Sequence, residues 1–352
     1  MNEKAFQDIR KKVGDISQIA GIRPVEMTQG KAKGTSAFEV YNAAGLSFTA
    51  LQDKCLDIFD LKYRGVNIGF ATKNGLAANT HFNALGDEFL YYWSAGMMYT
   101  CGLANTGPAC EDGGLYRTEH GRVGCIPAGN VSAQAGFDGE DYRMEISGEM
   151  RESMVYGSNL SLQRRISTTM DSREVTVRDC ITNLEPEDEE FMLLYHMNFG
   201  YPLVDEGACI VKPAGSIAPR TPDAEKGVAT CFDITAPVDG SDEECFFHGQ
   251  TPDDEGYAYV GIVNRALGLG AYLKYSLEPL PVLVQWKSPR SHDYCIGLEP
   301  SNAYIMGRAA ERENGTLPVI GGYQSVETSL AIGILDGEEE IDAFEERMKA
   351  MK

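Results

Sequence analysis

The chain has 352 residues, 43% of them hydrophobic, and its 52 acidic against 31 basic residues leave a formal charge of −21. That length exceeds an average domain, yet large β sandwiches and barrels reach it as single units, so it does not force a division. The charge opposes DNA, RNA and anionic membranes and, with no basic patch beyond Arg10-Lys11-Lys12, suits a small neutral substrate.

Phe6, Ile9, Val13 and Ile16 recur at intervals of three and four and predict a helical lead-in over residues 1–20, stopped by Gly21. Alternation then takes over. Residues 37–41 and 46–51, separated by Asn42-Ala43-Ala44-Gly45, predict a hairpin, and residues 58–63 followed by 64–68 repeat the pattern. Residues 144–150, 160–166 and 175–183 also alternate with period two, as half-buried strands do. Strands spaced in this way, with turn signals between them and few helical stretches, predict an all-β fold, a large antiparallel sandwich or barrel. Residues 337–352 predict a terminal surface helix, and the acidic segments 185–190 and 239–244 predict solvated loops. No linker or repeat divides the chain, which reads as one domain over 1–352.

Nine cysteines, an odd number without a Cys-x-x-Cys pair, argue against a disulfide scaffold and a zinc-thiolate site. The start of the sequence lacks a basic-then-apolar signal, and no apolar run is long enough to span a bilayer, so the expectation is a cytoplasmic protein with reduced thiols.

Three islands carry candidate chemistry: Thr118-Glu119-His120-Gly121-Arg122, Tyr195-His196-Met197-Asn198-Phe199-Gly200-Tyr201-Pro202, and Ile296-Gly297-Leu298-Glu299-Pro300. Each sits beside a glycine- or proline-marked turn, as when several strands deliver side chains to one cleft. Singly, His196 reads equally as a core histidine, His120 as a loop histidine facing water and Glu299 as a salt-bridge partner. Together they form an acid, a base and an orienting group. Trp93 and the Trp286-Lys287 pair suit sugar recognition, although tryptophan is most often core or groove lining. There is no Gly-x-Ser-x-Gly elbow and no Walker-type loop, and His81, His248 and His292 lack metal-site spacing. No metal is expected.

These islands, with Leu51-Gln52-Asp53-Lys54-Cys55-Leu56-Asp57-Ile58, the segment from Thr100 to Pro108 and that from Leu280 to Lys287, resemble the aldose 1-epimerase, or galactose mutarotase-like, family over about residues 14–334. The resemblance implies a super-sandwich of antiparallel sheets with short terminal helices and a sugar cleft across a concave face. It also implies that Glu299 is the base that takes the anomeric hydroxyl proton and His196 the acid that protonates the ring oxygen. His120 would hold the ring oxygen or a neighbouring hydroxyl, with Arg122 as its helper. Asn198, Asp53, Lys54, Asp57, Trp286, Lys287 and His248 complete the candidate sugar-binding set. No cofactor is implied. The sequence departs from the related bacterial branch at Asp53-Lys54-Cys55, where that branch has Asp-Arg-Gly: a point-charge amine replaces a planar fork.

The leading expectation is therefore an isomerase that interconverts sugar anomers. The alternative is a catalytically silent sugar-binding protein using the same cleft. An enzyme of glycosidic or uronic-acid linkages ranks last, since hydrolysis needs two spaced carboxylates and only Glu299 stands out. The partner is a small-molecule sugar, with neither nucleic acid nor membrane, and the choice between monomer and homodimer stays open.

Overall fold

The computed structural model describes residues 3–139 and 141–351. Among them, strands pair into antiparallel sheets of eight, six and five strands, with two further two-stranded ribbons. The eight-stranded sheet begins as a meander from Gly129–Asp138 through Asp141–Ser153 and Asn159–Thr169 to Glu174–Asn183, and continues through Ser325–Asp336. The predicted period is visible in it: Tyr142, Met144, Ile146 and Met150 are buried while Arg143, Glu145 and Glu149 are not.

The six-stranded sheet positions the site. Its order is Ile217–Pro219, Glu244–His248, Val282–Ser288, Cys295–Ser301, Met192–Phe199 and Met98–Leu103. One face sends Leu193, Tyr195, Met197, Phe199, Leu283, Ile296 and Leu298 into the main hydrophobic core, which they share with both other large sheets. The other face carries Leu194 and Val284, which pack with Phe89, Tyr92, Tyr99 and Cys101. Because both faces are covered, Met192–Phe199 is buried throughout and reads as an apolar run rather than an alternating one. Each large apolar side chain buried here contributes about 1.5–3 kcal/mol.

A buried charge network ties the three sheets beneath this strand. The Arg164 guanidinium donates to Asp179 Oδ1 at 2.9 Å and Oδ2 at 2.6 Å, and to Asp57 Oδ1 at 2.7 Å. Asp57 also accepts the Thr100 backbone N–H at 2.8 Å, and the Tyr195 hydroxyl donates to Asp179 at 2.7 Å. One guanidinium thus serves two carboxylates, and burial still pushes Asp57 up to about 6.

The lead-in is shorter than its periodicity predicts. The α-helix runs Glu3–Arg10, and Asp15 starts a separate 3-10 turn over Ile16–Gln18 by accepting the Ser17 N–H at 2.9 Å. Capping by Asp15 outweighs the apolar spacing of Val13 and Ile16. The terminal helix, Glu338–Ala350, buries Ile341, Phe344 and Met348 against the eight-stranded sheet, with glutamates in its first turn and basic residues in its last. A further helix covers Arg308–Asn314 and a 3-10 stretch covers Pro222–Thr230.

Candidate active site

Strand register brings His196 and Glu299 together. Leu194 pairs with Ser301 and Asn198 with Gly297, so His196 stands directly across from Glu299. His196 Nδ1 lies 3.2 Å from Glu299 Oε1, but off the line of a hydrogen bond. Among the described residues both atoms are buried without a hydrogen-bond partner. The residue between Asn198 and Trp286 in this ladder is glycine: a Cβ at Gly297 would lie 2.3 Å from Glu299 Oε1 and 3.0 Å from Trp286 Cβ, so a larger residue would have to displace the carboxylate. Asn198 steadies the strand, since its Nδ2 donates to the Gly96 and His196 carbonyls at 2.9 Å each.

A tight turn delivers His120 from the other side. The residue has φ of 54° and is followed by Gly121 at 73°, where a Cβ would sit 2.0 Å from the Gly102 carbonyl oxygen. The Gly102 N–H donates to the His120 carbonyl at 2.9 Å, and the His120 N–H donates to that of Gly107 at 2.9 Å. His120 Nδ1 accepts the Gly107 N–H at 3.4 Å, which assigns the proton of the neutral ring to Nε2. The two imidazole centroids are 5.6 Å apart.

Aromatic side chains wall the cleft. Trp93 and Trp286 meet the His196 ring edge-on at 5.1 and 5.4 Å, and Phe89 lies 5.5 Å from His120. Trp286 Nε1 donates to Glu243 Oε2 at 2.7 Å, which fixes the indole tilt. The enclosed space is about 310 Å³ and is also lined by Leu90, Glu119 and Arg220. This suits a small polar ligand with apolar faces.

Burial sets the protonation of the site. Glu299 is pushed well above the usual carboxylate range, first by burial and then by Glu243, with Arg220 opposing. His196 is lowered to about 3 by burial and by neighbouring His120, the Asn198 side chain working the other way. His120 is lowered to about 4 by burial and then by Arg220. Glu119 is raised by burial, Asp87 and Glu243. Burial therefore favours a neutral His196 and a protonated Glu299 over the ion pair.

Of the residues expected at the site, Glu299, His196, His120 and Trp286 line the cleft, and Asn198 braces its floor. Arg122 does not: the Gly121 turn sends it outward, exposed beside a separate cavity of about 170 Å³ shared with Arg117 and Glu152. Asp53 accepts the Ser36 N–H at 2.8 Å, Lys54 is buried near Cys125, and Asp57 belongs to the Arg164 network. Strand alternation turns Lys287 and His248 to the opposite face from Trp286. There Lys287 Nζ donates to the Thr230 carbonyl at 2.9 Å, while His248 shares a 2.8 Å hydrogen bond with Gln285 and stacks on Phe232.

Arg220 and Glu243 lie outside the expected set. Arg220 follows the short strand Ile217–Pro219 in an irregular segment that carries no motif. Among the described residues its guanidinium makes no ion pair, and its Nε is buried without a partner. Glu243 sits in an acidic segment that reads as a solvated loop. Only its bond to Trp286 draws it to the site. Among the described residues no group of three or more His, Cys, Asp or Glu could hold a metal ion.

The sheets and the cleft across the six-stranded one define a galactose mutarotase-like sandwich. A Klebsiella pneumoniae subsp. pneumoniae MGH 78578 protein with a provisional aldose 1-epimerase name is similar at a TM-score of 0.90 and 23% identity, covering 98% of this chain and 90% of that one. A galactose mutarotase-like protein from Clostridium acetobutylicum is similar at 0.64 and 12% identity, over 91% of this chain and 99% of that one. Galactose 1-epimerase from Lactobacillus acidophilus NCFM is similar at 0.59 and 12% identity, over 91% and 100%. At these identities the likeness is one of fold. No curated protein matches the chain. In sequence, the chain belongs to the family described as Domain of unknown function (DUF4432), which matches residues 32–334.

Proposed function

We propose that the protein interconverts the anomers of a free sugar, with His196 and Glu299 moving the protons. The observation that carries this reading is their confrontation at 3.2 Å, with both facing atoms buried and unpartnered, on the floor of an aromatic-walled cleft. A buried unsatisfied group costs about 1–3 kcal/mol, so the arrangement favours a ligand or reaction that engages it.

The reaction needs one acid and one base. A base removes the anomeric hydroxyl proton, the electron pair becomes the C1 carbonyl, the bond from C1 to the ring oxygen breaks, and an acid protonates that oxygen. Rotation of the aldehyde and the reverse steps give the other anomer. With Glu299 as the base and His196 as the acid, the reactive pair is carboxylate and imidazolium. The resting pair is carboxylic acid and neutral imidazole, which differs only in where one proton sits. Sugar hydroxyls donating to Glu299 stabilise its anion and shift the proton to His196. His120, protonated on Nε2, is a donor for the ring oxygen or an adjacent hydroxyl, and the indoles of Trp93 and Trp286 cover the apolar faces of the ring.

Two-dimensional exchange NMR on a panel of aldoses tests this proposal: the protein should speed exchange between the anomeric protons of at least one sugar. Binding without faster exchange would replace the isomerase with the silent sugar-binding reading.

A further inference from the structure

We propose that the cleft continues into a second sugar subsite, so that the substrate is a reducing oligosaccharide rather than a lone monosaccharide. This rests on the sugar reading of the first chamber. Leu90, Trp93, Glu243 and Trp286 line that chamber and also an adjoining one of about 410 Å³. The two indoles, 5.8 Å apart and inclined by 58°, stand between them, and the Glu243 bond holds Trp286 in that position. A chamber of about 310 Å³ lies at the low end of ligand-site volumes, roughly 300–1,000 Å³, and suits one sugar ring. A second ring requires the space beyond the indoles.

The second chamber is furnished for such a ring. Some of its polar groups serve the fold: Thr72 Oγ1 donates to the Trp93 carbonyl at 2.7 Å, Asn74 Nδ2 to that of Leu90 at 2.8 Å, and Lys73 pairs with Asp293 at 2.7 Å. Others are uncommitted. Among the described residues the Asp242 carboxylate and the Ser288 hydroxyl make no hydrogen bond, and Arg290 reaches only Asp293, at 4.0 Å. An acceptor, a hydroxyl and a fork of donors thus face an apolar wall made by Trp93, Trp286 and Leu90, the last 57% exposed. Lys73 and Arg290 face three carboxylates, Asp242, Glu243 and Asp293, so the chamber disfavours an anion and suits a neutral, hydroxyl-rich ligand. The reacting end must keep its anomeric hydroxyl free at His196 and Glu299. The second residue is therefore joined through another hydroxyl of the reducing-end sugar.

Titration calorimetry with maltose, cellobiose, galactobiose and mannobiose, each against its own monosaccharide, tests this proposal on the wild-type protein and on the exposed double variant Asp242→Ala/Arg290→Ala. At least one disaccharide should bind about tenfold more tightly than its monosaccharide, the worth of one or two added hydrogen bonds. The double variant should lose that advantage while keeping its affinity for the monosaccharide. The proposal is overturned if no disaccharide binds more tightly than its monosaccharide, or if the advantage survives in the variant. Anomeric exchange measured on the same samples separates the two readings. Preference without exchange retires the isomerase and keeps the subsite, and exchange without preference does the reverse.

Discussion

His196 and Glu299 face one another across neighbouring antiparallel strands, with 3.2 Å between Nδ1 and Oε1 and, among the described residues, no hydrogen bond to either atom. The main-chain ladder and the core beneath it fix that separation, since Tyr195 and Met197 on either side of His196 are anchored in the main core. Burial favours the neutral form of each, lowering His196 and raising Glu299.

The pH dependence follows from this burial. His196, lowered to about 3, stays neutral in the free protein as pH falls through the ordinary histidine value of about 6.5. Glu299, raised, keeps its proton as pH rises through the ordinary carboxylate range. His196 thus gains no proton near pH ~6.5, and kcat/KM for anomer exchange should show no limb from its titration there. An acid limb centred at that value, matched by an NMR titration of the His196 ring, would show that His196 titrates as an exposed histidine.

Gly297→Ala should act on the site more than on the fold. The new methyl group would meet Glu299 Oε1 at 2.3 Å and displace the carboxylate from His196. Stability should fall by about 1–3 kcal/mol, the usual cost of overpacking, while kcat drops about 100-fold, as expected when a catalytic group is misplaced by an ångström. Urea unfolding combined with exchange kinetics checks both parts.

Two arginines separate the cleft from its surroundings. Arg220→Ala removes the cation lining the cleft and should lower kcat/KM by about tenfold or more, the value of one hydrogen bond to a charged group. Arg122→Ala changes an exposed side chain at a different cavity and should leave kcat/KM within about twofold. Steady-state kinetics on both variants decides between them.

Arg164→Leu should be severely destabilising, by about 3–5 kcal/mol, because Asp57 and Asp179 would be left as buried carboxylates without their cation. Chemical denaturation measures this. A loss below about 1 kcal/mol would mean that water or protonation replaces the guanidinium.

Much of this arrangement is legible in the sequence. Period-two alternation marks the strands of the large sheets, and two apolar strands that each present a polar residue near a turn mark His196 and Glu299. The faces of particular residues are harder to read. Trp286 and Lys287 are consecutive in one strand, so alternation already sends them to opposite sides, and only Trp286 enters the cleft. Arg122 looks like a companion of His120 until the positive φ at Gly121 turns the chain away. Asp57 looks like a sugar ligand, but Arg164, 107 positions later, claims it. Arg220 and Glu243 carry no local signal because three-dimensional sheet order alone brings them beside Glu299.

The most direct test of the central claim is anomeric exchange in Glu299→Gln, measured by saturation-transfer NMR with the best sugar of the wild-type panel. The carboxamide keeps the shape of the side chain but cannot act as the base, so exchange should slow by about 10²–10⁴-fold while the sugar still binds. Exchange at the wild-type rate in a folded, sugar-binding Glu299→Gln protein would contradict the assignment of this pair as the proton-transfer machinery.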